Sequence, residues 1–347
     1  MAGLTTRRRV MIVEDSTVVR ALLTHIVSAD PRLSVVAAVA SAEEAIAALP
    51  SVRPDVISMD IVLPGMDGLE ATRRIMADQP TPIVVISASL ETAALATSMD
   101  ALRAGALSVV EKPVGFGHGA HAAVAREICT QLAIMSDVAV VRRRIRPREV
   151  DPVGTRAPVV PKVLLCAAST GGPQAVARLF GALPAALPLP VLLVQHMGAA
   201  FMEGYAAWLQ SVVPQRVILA QEGELPMAGT IHVAPGDRHL RIGRDGRMAI
   251  GADTAIGGQR PAATALFQSA ADAIGGAAIG VILTGMGEDG ATGVRSLIAA
   301  GGAVIAEHES SAVVYGMPAA AVRMGATALP IEMIAPHLER VMARAQA

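Results

Sequence analysis

The sequence predicts two α/β units, each built on a mostly parallel sheet with helices on its faces. Apolar strand-like runs alternate with helix-like patterns five times before residue 115, and the alternation returns after residue 162. The stretch between the two halves carries an arginine cluster at 142–148 and several prolines, which is typical of a semi-flexible linker. We therefore expect a first domain at 7–125, a helix and linker at 126–161 and a second domain at 162–347.

Composition limits the class of protein. With 347 residues, 52% hydrophobic and 17% charged, the chain is long enough for two cores and too apolar to be disordered. A net charge of −1 gives no reason to expect nucleic-acid binding. No signal peptide or membrane-spanning stretch is recognisable, and the two cysteines form neither a disulfide framework nor a zinc pattern. We expect a cytoplasmic protein without membrane insertion.

The first half predicts a doubly wound, five-stranded parallel sheet. Its predicted strands are Val10–Val13, Val35–Val39, Val56–Met59, Ile83–Ile86 and Leu107–Val110. The predicted helices are Val18–Val27, Ala42–Leu49 with Ser41 as N-cap, Leu69–Ala77 and Ala93–Ala104, followed in the connection by His121–Met135. Ligand sites in such sheets lie at the carboxyl ends of the strands, so side chains there are functional candidates.

Charged and polar side chains follow four of these strands. Glu14 and Asp15 end the first strand, Asp60 the third, Ser87 the fourth and Lys112 the fifth. Three carboxylates at one edge repel one another and need a cation, and their oxygens suit Mg²⁺. An aspartate beside the metal is a plausible phosphoryl acceptor, with the lysine and the serine holding phosphoryl oxygens. The alternative, that each acid merely caps a helix or is solvated, is hard to reconcile with the whole set.

This half resembles the receiver domain of two-component response regulators, which has a flavodoxin-like fold. The matching motifs are Glu14-Asp15-Ser16, Asp60 to Gly68, Ile86-Ser87-Ala88, Gly105-Ala106 and Lys112-Pro113. The resemblance implies that Asp60 takes a phosphoryl group from a histidine kinase, with Glu14, Asp15, Asp60 and the Ile61 carbonyl around Mg²⁺. Receivers usually carry an aromatic switch residue three positions before the lysine, where this chain has Val109. An aromatic-swing readout is therefore in doubt.

The second half predicts another, Rossmann-like, mostly parallel α/β domain. Its predicted strands are 163–168, 191–195, 216–219, 230–233, 240–242, 248–250, 278–283 and 303–306, and its helices 200–212, 260–273, 291–300, 319–324 and 333–343. The first strand leads into Ser169-Thr170-Gly171-Gly172-Pro173, where the glycines permit a sharp turn and a helix begins. Such a turn suits a serine nucleophile, and equally a serine N-cap.

Two further strand ends decide between these interpretations. His196 follows the second strand, and Asp289 lies in the glycine-rich turn 284–290. The carboxyl ends of parallel strands share one edge, so Ser169, His196 and Asp289 can meet as nucleophile, base and orienting acid. Taken singly, His196 would be a polar strand end and Asp289 an N-cap, but their joint occurrence favours catalysis. The same turn offers backbone N–H groups for an oxyanion hole.

The second half resembles the catalytic domain of the CheB family of chemotaxis methylesterases. The matching motifs are Ala168 to Pro173, Gln195-His196-Met197, Ala234 to His239, Arg260-Pro261, Ile282 to Gly290 and Tyr315 to Pro318. The resemblance implies Ser169 as nucleophile, His196 as base and then acid, Asp289 as its partner and the Met286 N–H as oxyanion donor. Ala167, Gly198 and the stretch 262–265 depart from the usual pattern without removing a triad member.

The two resemblances together imply a phosphorylation-regulated methylesterase and glutaminase with Mg²⁺ in the receiver and no cofactor in the esterase. Its expected partners are methylated chemoreceptors and a chemotaxis histidine kinase, and the receiver would cover the hydrolase edge until Asp60 is phosphorylated. Two alternatives stay open. The second domain could bind a partner without catalysis, although no Walker lysine follows the glycines. Alternatively, the esterase could act on a receptor outside chemotaxis.

Overall fold

The computed structural model describes residues 7–87, 100–102, 104–113, 119–138 and 161–344. The chain divides into two compact units, residues 1–143 and 144–347. The predicted helix Ala93–Ala104 lies largely outside the described residues, as does most of the predicted linker.

The first unit holds a five-stranded sheet in the order β2-β1-β3-β4-β5, and its strand pairs are all parallel. Its strands are β1 (Arg8–Val13), β2 (Leu33–Val39), β3 (Val56–Met59), β4 (Ile83–Ser87) and β5 (Ser108–Glu111). Its helices are α1 (Thr17–Ala29), α2 (Ala42–Val52), α3 (Gly68–Asp78) and α4 (Gly119–Met135). The doubly wound parallel sheet predicted from the alternating pattern is confirmed.

Helix α4 packs against α1 and the strands β3, β4 and β5. The contact includes the Cys129 thiol, which lies 3.5 Å from the Ile26 carbonyl oxygen. The predicted domain boundary at residue 125 falls within this helix, which packs on the first sheet. Ser41 accepts a hydrogen bond from Glu44 N at the start of α2, as expected of an N-cap.

The second unit holds a seven-stranded parallel sheet in the order β14-β13-β12-β6-β7-β9-β8, with a separate antiparallel pair β10-β11. Its strands are β6 (Val163–Ala168), β7 (Val191–Gln195), β8 (Arg216–Leu219), β9 (Thr230–Val233), β10 (His239–Ile242), β11 (Met248–Gly251), β12 (Ala278–Ile282), β13 (Ala303–Glu307) and β14 (Thr327–Leu329). Its helices are α5 (Gly172–Gly181), α6 (Met202–Val212), α7 (Ala263–Ile274), α8 (Ala291–Ala299), α9 (Met317–Arg323) and α10 (Ile331–Arg344).

Strand β6 lies inside this sheet, between β12 and β7, and all six of its residues are buried. Its side chains contribute to a core of small and branched residues that also includes Val194, Phe267 and Val304. Burial on both faces explains why β6 reads as a continuous apolar run instead of an alternating one. The turns after β12, β6 and β7 consequently lie side by side at one edge.

A histidine is buried within this sheet. His232 in β9 is 0% exposed, and its Nε2 accepts a hydrogen bond from Met227 N at 3.0 Å. Its Nδ1 has no partner among the described residues. Burial, assisted by the charge of Arg216, lowers the pKa of His232 to about 4. The folded protein therefore holds this imidazole neutral.

Acid should destabilise the second unit through His232. Between the ordinary histidine pKa and about 4 the unfolded chain binds a proton that the folded chain does not. The free energy of unfolding should thus fall as the pH falls through this window, by about 3 kcal/mol in total. Denaturant titrations followed by Trp208, the chain's one tryptophan, measure the effect. His232→Gln keeps an acceptor and should lose this component; equal pH dependence in both proteins would contradict the assignment.

Candidate active site and phosphoacceptor site

The end of β6 is tied to both neighbouring strand ends. Ser169 N donates to Thr284 O at 3.0 Å on the β12 side, and His196 N donates to Ala168 O at 2.9 Å on the β7 side. The three loops predicted to carry the triad therefore meet through backbone hydrogen bonds. Ser169 is partly exposed, so its hydroxyl is accessible at this edge.

The Ser169 turn requires glycine for two reasons: a left-handed backbone conformation at Gly171, and no room for a side chain at Gly172. Gly171 has a φ of 75°, and a Cβ on Gly172 would lie 2.2 Å from Gln195 Oε1. On the other side, a Cβ on Gly285 would lie 2.8 Å from Ser169 Cβ, so this glycine packs directly against the serine. The N-cap of α5 is Gly171, without a side-chain cap. The N-cap alternative for Ser169 is therefore wrong.

Gln195 is a site residue whose role the sequence did not reveal. It is buried, and its Nε2 donates to Ser169 O at 2.8 Å and to His196 O at 3.0 Å. One side chain thus fixes the backbone of both the predicted nucleophile and the predicted base. The only signal in the sequence is its place in the Gln195-His196-Met197 motif.

His196 and Asp289 form the direct contact of the site. His196 Nε2 lies 2.8 Å from Asp289 Oδ2, and each side chain is only 6% exposed. His196 Nδ1 is buried and has no partner among the described residues. Ser169 Oγ likewise makes no hydrogen bond within the described part of the chain. The structure therefore pairs base with acid, and places the serine beside them by its backbone.

Asp289 is held by the first turn of α7, far away in sequence. Its Oδ2 accepts from Ala263 N at 2.6 Å, and its Oδ1 accepts from Thr264 N at 3.0 Å and from Gly290 N at 2.8 Å. The N-cap position of α7, Ala262, has no side-chain cap. Asp289 thus supplies the cap that α7 lacks, and the helix dipole favours its negative charge.

These contacts decide the charge state of Asp289. Burial alone would raise the pKa of Asp289, but hydrogen bonds from His196 and Thr264 and the attraction of His196 lower it below its usual value. Asp289 is therefore a carboxylate suited to stabilise an imidazolium. The N-cap of α8 is Gly290, so the alternative that Asp289 caps the following helix is wrong.

Helix α7 begins later than the sequence suggested. It was predicted from Arg260 and starts at Ala263, because Ala262 is extended and turns the first helical N–H groups toward Asp289. The Arg260–Pro261 peptide bond is cis. Arg260 itself donates through Nε and Nη2 to Asp237, at 2.8 and 2.6 Å.

The loop after β12 presents unused backbone donors. Gly285 N donates to Val314 O at 3.1 Å, while Gly285 O accepts from Gly316 N and Met317 N. The N–H groups of Met286 and Gly287 have no partner among the described residues. The Met286 side chain is 45% exposed. The Met286 N–H directly follows Gly285, which packs against Ser169, so it has the chemistry of an oxyanion-hole donor.

A second constellation lies in the first unit. Ligand oxygens of Glu14, Asp15 and Asp60 all lie within 4.8 Å of one another. Glu14 and Asp60 are buried, 1% and 3% exposed, whereas Asp15 is exposed. Lys112 Nζ lies 2.8 Å from Asp60 Oδ2 and 2.9 Å from Glu14 Oε2.

Burial and mutual contacts shift the pKa values of the groups in this cluster. Burial, and repulsion from Asp60, raise the pKa of Glu14, and burial raises the pKa of Asp60. Burial would lower the pKa of Lys112, but its hydrogen bonds to the two carboxylates raise it. A third carboxylate with only one lysine leaves excess negative charge. Oxygen donors in this arrangement fit Mg²⁺.

The remaining predicted residues lie in or just after strands β3, β4 and β5. Ile61 N donates to Asp60 Oδ1 at 2.8 Å, and the Ile61 carbonyl accepts from Gly68 N at 2.9 Å, which leaves it a second lone pair. A Cβ on Gly68 would lie 1.9 Å from Asp60 O. Ser87 is buried at the end of β4, and Val109 is 9% exposed in β5.

Comparison with known proteins agrees with both halves of this description. The family described as CheB methylesterase matches residues 164–338, and the response regulator receiver domain matches residues 10–123. The chain belongs to the CheB methylesterase family. Its first unit is a receiver domain with the fold predicted from its strand pattern.

Relatives of this family cover nearly the whole chain. The protein-glutamate methylesterase/protein-glutamine glutaminase 2 of Paramagnetospirillum magneticum is 48% identical over 95% of this chain and 96% of its own length. The corresponding enzyme of Nitrosospira multiformis is 42% identical over 96% of this chain and 97% of its own. The crystal structure of the Thermotoga maritima CheB methylesterase catalytic domain, 34% identical, covers 54% of this chain and 100% of that domain with a TM-score of 0.50. Among the described residues no helix is long and apolar enough to cross a membrane.

Proposed function

We propose that this chain hydrolyses glutamyl methyl esters on chemoreceptors and deamidates receptor glutamines, under control of phosphorylation at Asp60. The names of its relatives support the substrate class. The mechanism rests on the 2.8 Å contact of His196 with Asp289. Asp289 is in turn bound to the first turn of α7, and His196 lies next to the Ser169 turn. The receiver unit supplies the means of control in the same chain.

The geometry assigns roles to the two nitrogens of His196. Nε2 keeps its proton and donates a hydrogen bond to the Asp289 carboxylate, which fixes the tautomer. Nδ1 is then the basic nitrogen, and it is the one without a partner among the described residues. Asp289 stabilises the imidazolium that forms when Nδ1 takes a proton. Ser169 needs such a base because a hydroxyl alone is a weak nucleophile.

The reaction then proceeds in two balanced halves. Ser169 Oγ attacks the ester carbonyl while its proton passes to His196 Nδ1, and the Met286 N–H receives the oxyanion. The C–O bond to methanol breaks as Nδ1 returns the proton to the leaving oxygen, leaving an acyl-enzyme. Water repeats the attack with the same base, and glutamate and free Ser169 result. With a glutamine side chain, ammonia leaves in place of methanol.

Asp60 is the proposed acceptor of the phosphoryl group from a chemotaxis histidine kinase. Mg²⁺, held by Glu14, Asp15, Asp60 and the Ile61 carbonyl, would neutralise charge on the transferring group. Lys112 Nζ already lies 2.8 Å from Asp60 Oδ2, so it is placed to hold a phosphoryl oxygen. Ser87, which ends the adjacent strand β4, is the proposed holder of another phosphoryl oxygen.

Asp60→Asn should abolish the response to a phosphodonor and leave basal hydrolysis in place. The amide cannot form the acyl phosphate, so the ratio of rates with and without the donor should fall to one. The measurement is methanol release from methylated receptor, with acetyl phosphate and Mg²⁺ present or absent.

The matched control is Asp78→Asn, which changes an exposed carboxylate of α3 outside the cluster. It should respond like the unmodified protein. If Asp60→Asn kept a full response, the regulatory proposal would fail. If the unmodified protein released no methanol at all, the second unit would be a binding domain; release from a receptor outside chemotaxis would change only the substrate.

A further inference from the structure

A buried carboxylate that the proposed mechanism does not use lies behind the catalytic loop. Glu307 ends β13 and is 1% exposed. Placing a carboxyl group in the interior is costly unless hydrogen bonds compensate. Burial raises the pKa of Glu307. A side chain of this kind, one strand away from the predicted oxyanion loop, calls for a physical role.

Both oxygens of Glu307 accept hydrogen bonds. Oε2 accepts from Thr284 N at 2.9 Å, and Oε1 accepts from Ser311 Oγ at 3.0 Å. Ser311 Oγ in turn accepts from Ile331 N at 3.0 Å, at the start of α10. These hydrogen bonds hold the carboxyl group in place, and it cannot move away from Thr284 without breaking them.

Thr284 transmits this position to the Ser169 turn. Its carbonyl accepts from Ser169 N at 3.0 Å, and its hydroxyl donates to Thr170 O at 2.9 Å. The same hydroxyl accepts from Val314 N at 2.8 Å. Thr284 also directly precedes Gly285, which packs against Ser169. One residue thus joins the nucleophile turn, the donor loop and Glu307.

We propose that Glu307 is a positioning residue of the esterase. Through the Thr284 N–H it fixes the spacing between Ser169 and the Met286 N–H. This role requires an acceptor oxygen within hydrogen-bond distance of the Thr284 N–H, and it does not require the negative charge. The inference rests on the proposed function, since it presupposes Ser169 as nucleophile.

Two conservative substitutions separate the length of the Glu307 side chain from its negative charge. Glu307→Gln keeps the reach: its amide oxygen can accept from Thr284 N, and its NH₂ can donate to Ser311 Oγ. It should retain kcat within about threefold. Glu307→Asp keeps the charge but withdraws the oxygens by one methylene, and a displacement of this size should lower kcat by about ten- to a hundredfold. KM should change little, because Glu307 lies in the interior and not on the substrate surface.

Glu309→Asp is the matched control, because it makes the same shortening by one methylene in an exposed carboxylate two residues later. Its kcat should stay within about threefold. The second readout is the rate at which a fluorophosphonate labels Ser169, which should fall in Glu307→Asp in parallel with kcat. Fluorescence of Trp208 in each variant confirms that the unit is folded.

The outcomes distinguish the two levels of the proposal. Failure of the fluorophosphonate to label Ser169 in the unmodified protein would remove the nucleophile assignment and this inference with it. Two other results would overturn only the role of Glu307. The first is normal labelling of Ser169 in the unmodified protein together with full activity of Glu307→Asp. The second is an inactive Glu307→Gln beside an active Glu307→Asp. If Glu307→Asp does not fold, Glu307→Met decides. It fills nearly the same volume without an acceptor oxygen, so labelling of Ser169 as fast as in Glu307→Gln would overturn the role of Glu307.

Discussion

Ser169→Ala should lower kcat for methanol release by about 10⁴-fold or more, because it removes the only group that forms the acyl-enzyme. The fold should be unaffected. Ser169 Oγ makes no hydrogen bond among the described residues, and the contacts that hold the turn come from its backbone N and O. Methanol release and the unfolding of the second unit, followed through Trp208, test both halves of this expectation.

The control for this substitution is Ser310→Ala, which removes an exposed hydroxyl in the same unit. It should be as active as the unmodified protein. Phosphorylation of Asp60 should proceed equally in both variants, since the acceptor site belongs to the other unit. Residual activity of Ser169→Ala above about one per cent would be too high for a lost nucleophile.

Asp289→Asn is expected to lower kcat by about 10³- to 10⁴-fold, and it should also weaken the fold. Oδ2 accepts from His196 and Ala263, while Oδ1 accepts from Thr264 and Gly290. Whichever way the asparagine turns, its NH₂ faces two donors. The carboxylate that fixes the tautomer of His196 is then lost. The unsatisfied N–H groups at the start of α7 should lower the free energy of unfolding by about 1–3 kcal/mol.

The neighbouring substitution Glu288→Gln provides the control. Glu288 is exposed, and its one partner among the described residues is Arg323 at 2.6 Å, so neither activity nor stability should change by much. The measurement is kcat for methanol release together with the denaturant midpoint of the second unit. An Asp289→Asn protein with normal stability would show that Asp289 does not cap α7.

The sequence predicted the sheets and their functional edge well, for a physical reason. Buried parallel strands are short continuous apolar runs, so β3, β6, β7 and β9 have the predicted bounds. The three-residue β14 was missed because so short a strand carries no pattern. The start of α7 was placed too early, since the Arg260-Pro261 motif resembles a helix start and the distant Asp289 determines where the N–H groups are satisfied.

The site was predictable as a set of residue types, and its supporting contacts were not. Ser169, His196 and Asp289 follow strand ends, which periodicity reveals. The supporting roles of Gln195 and Glu307 depend on side chains that reach backbone groups of neighbouring strands. Hydrophobic patterning reports burial but does not name the partner of a buried polar atom. Such contacts therefore become visible only when the strand order is known.

The central position of β6 has a consequence for the synthesis of the protein. β6 is the first described strand of its unit to leave the ribosome, yet one of its neighbours is β12, and Val163 pairs with Ala278 far later in the chain. The Ser169 turn therefore stays without its Thr284 contact until most of the unit has been translated. The strands of the receiver all precede β6, so the receiver can fold as a unit beforehand. During translation, the acceptor site is complete before the serine that it is proposed to control.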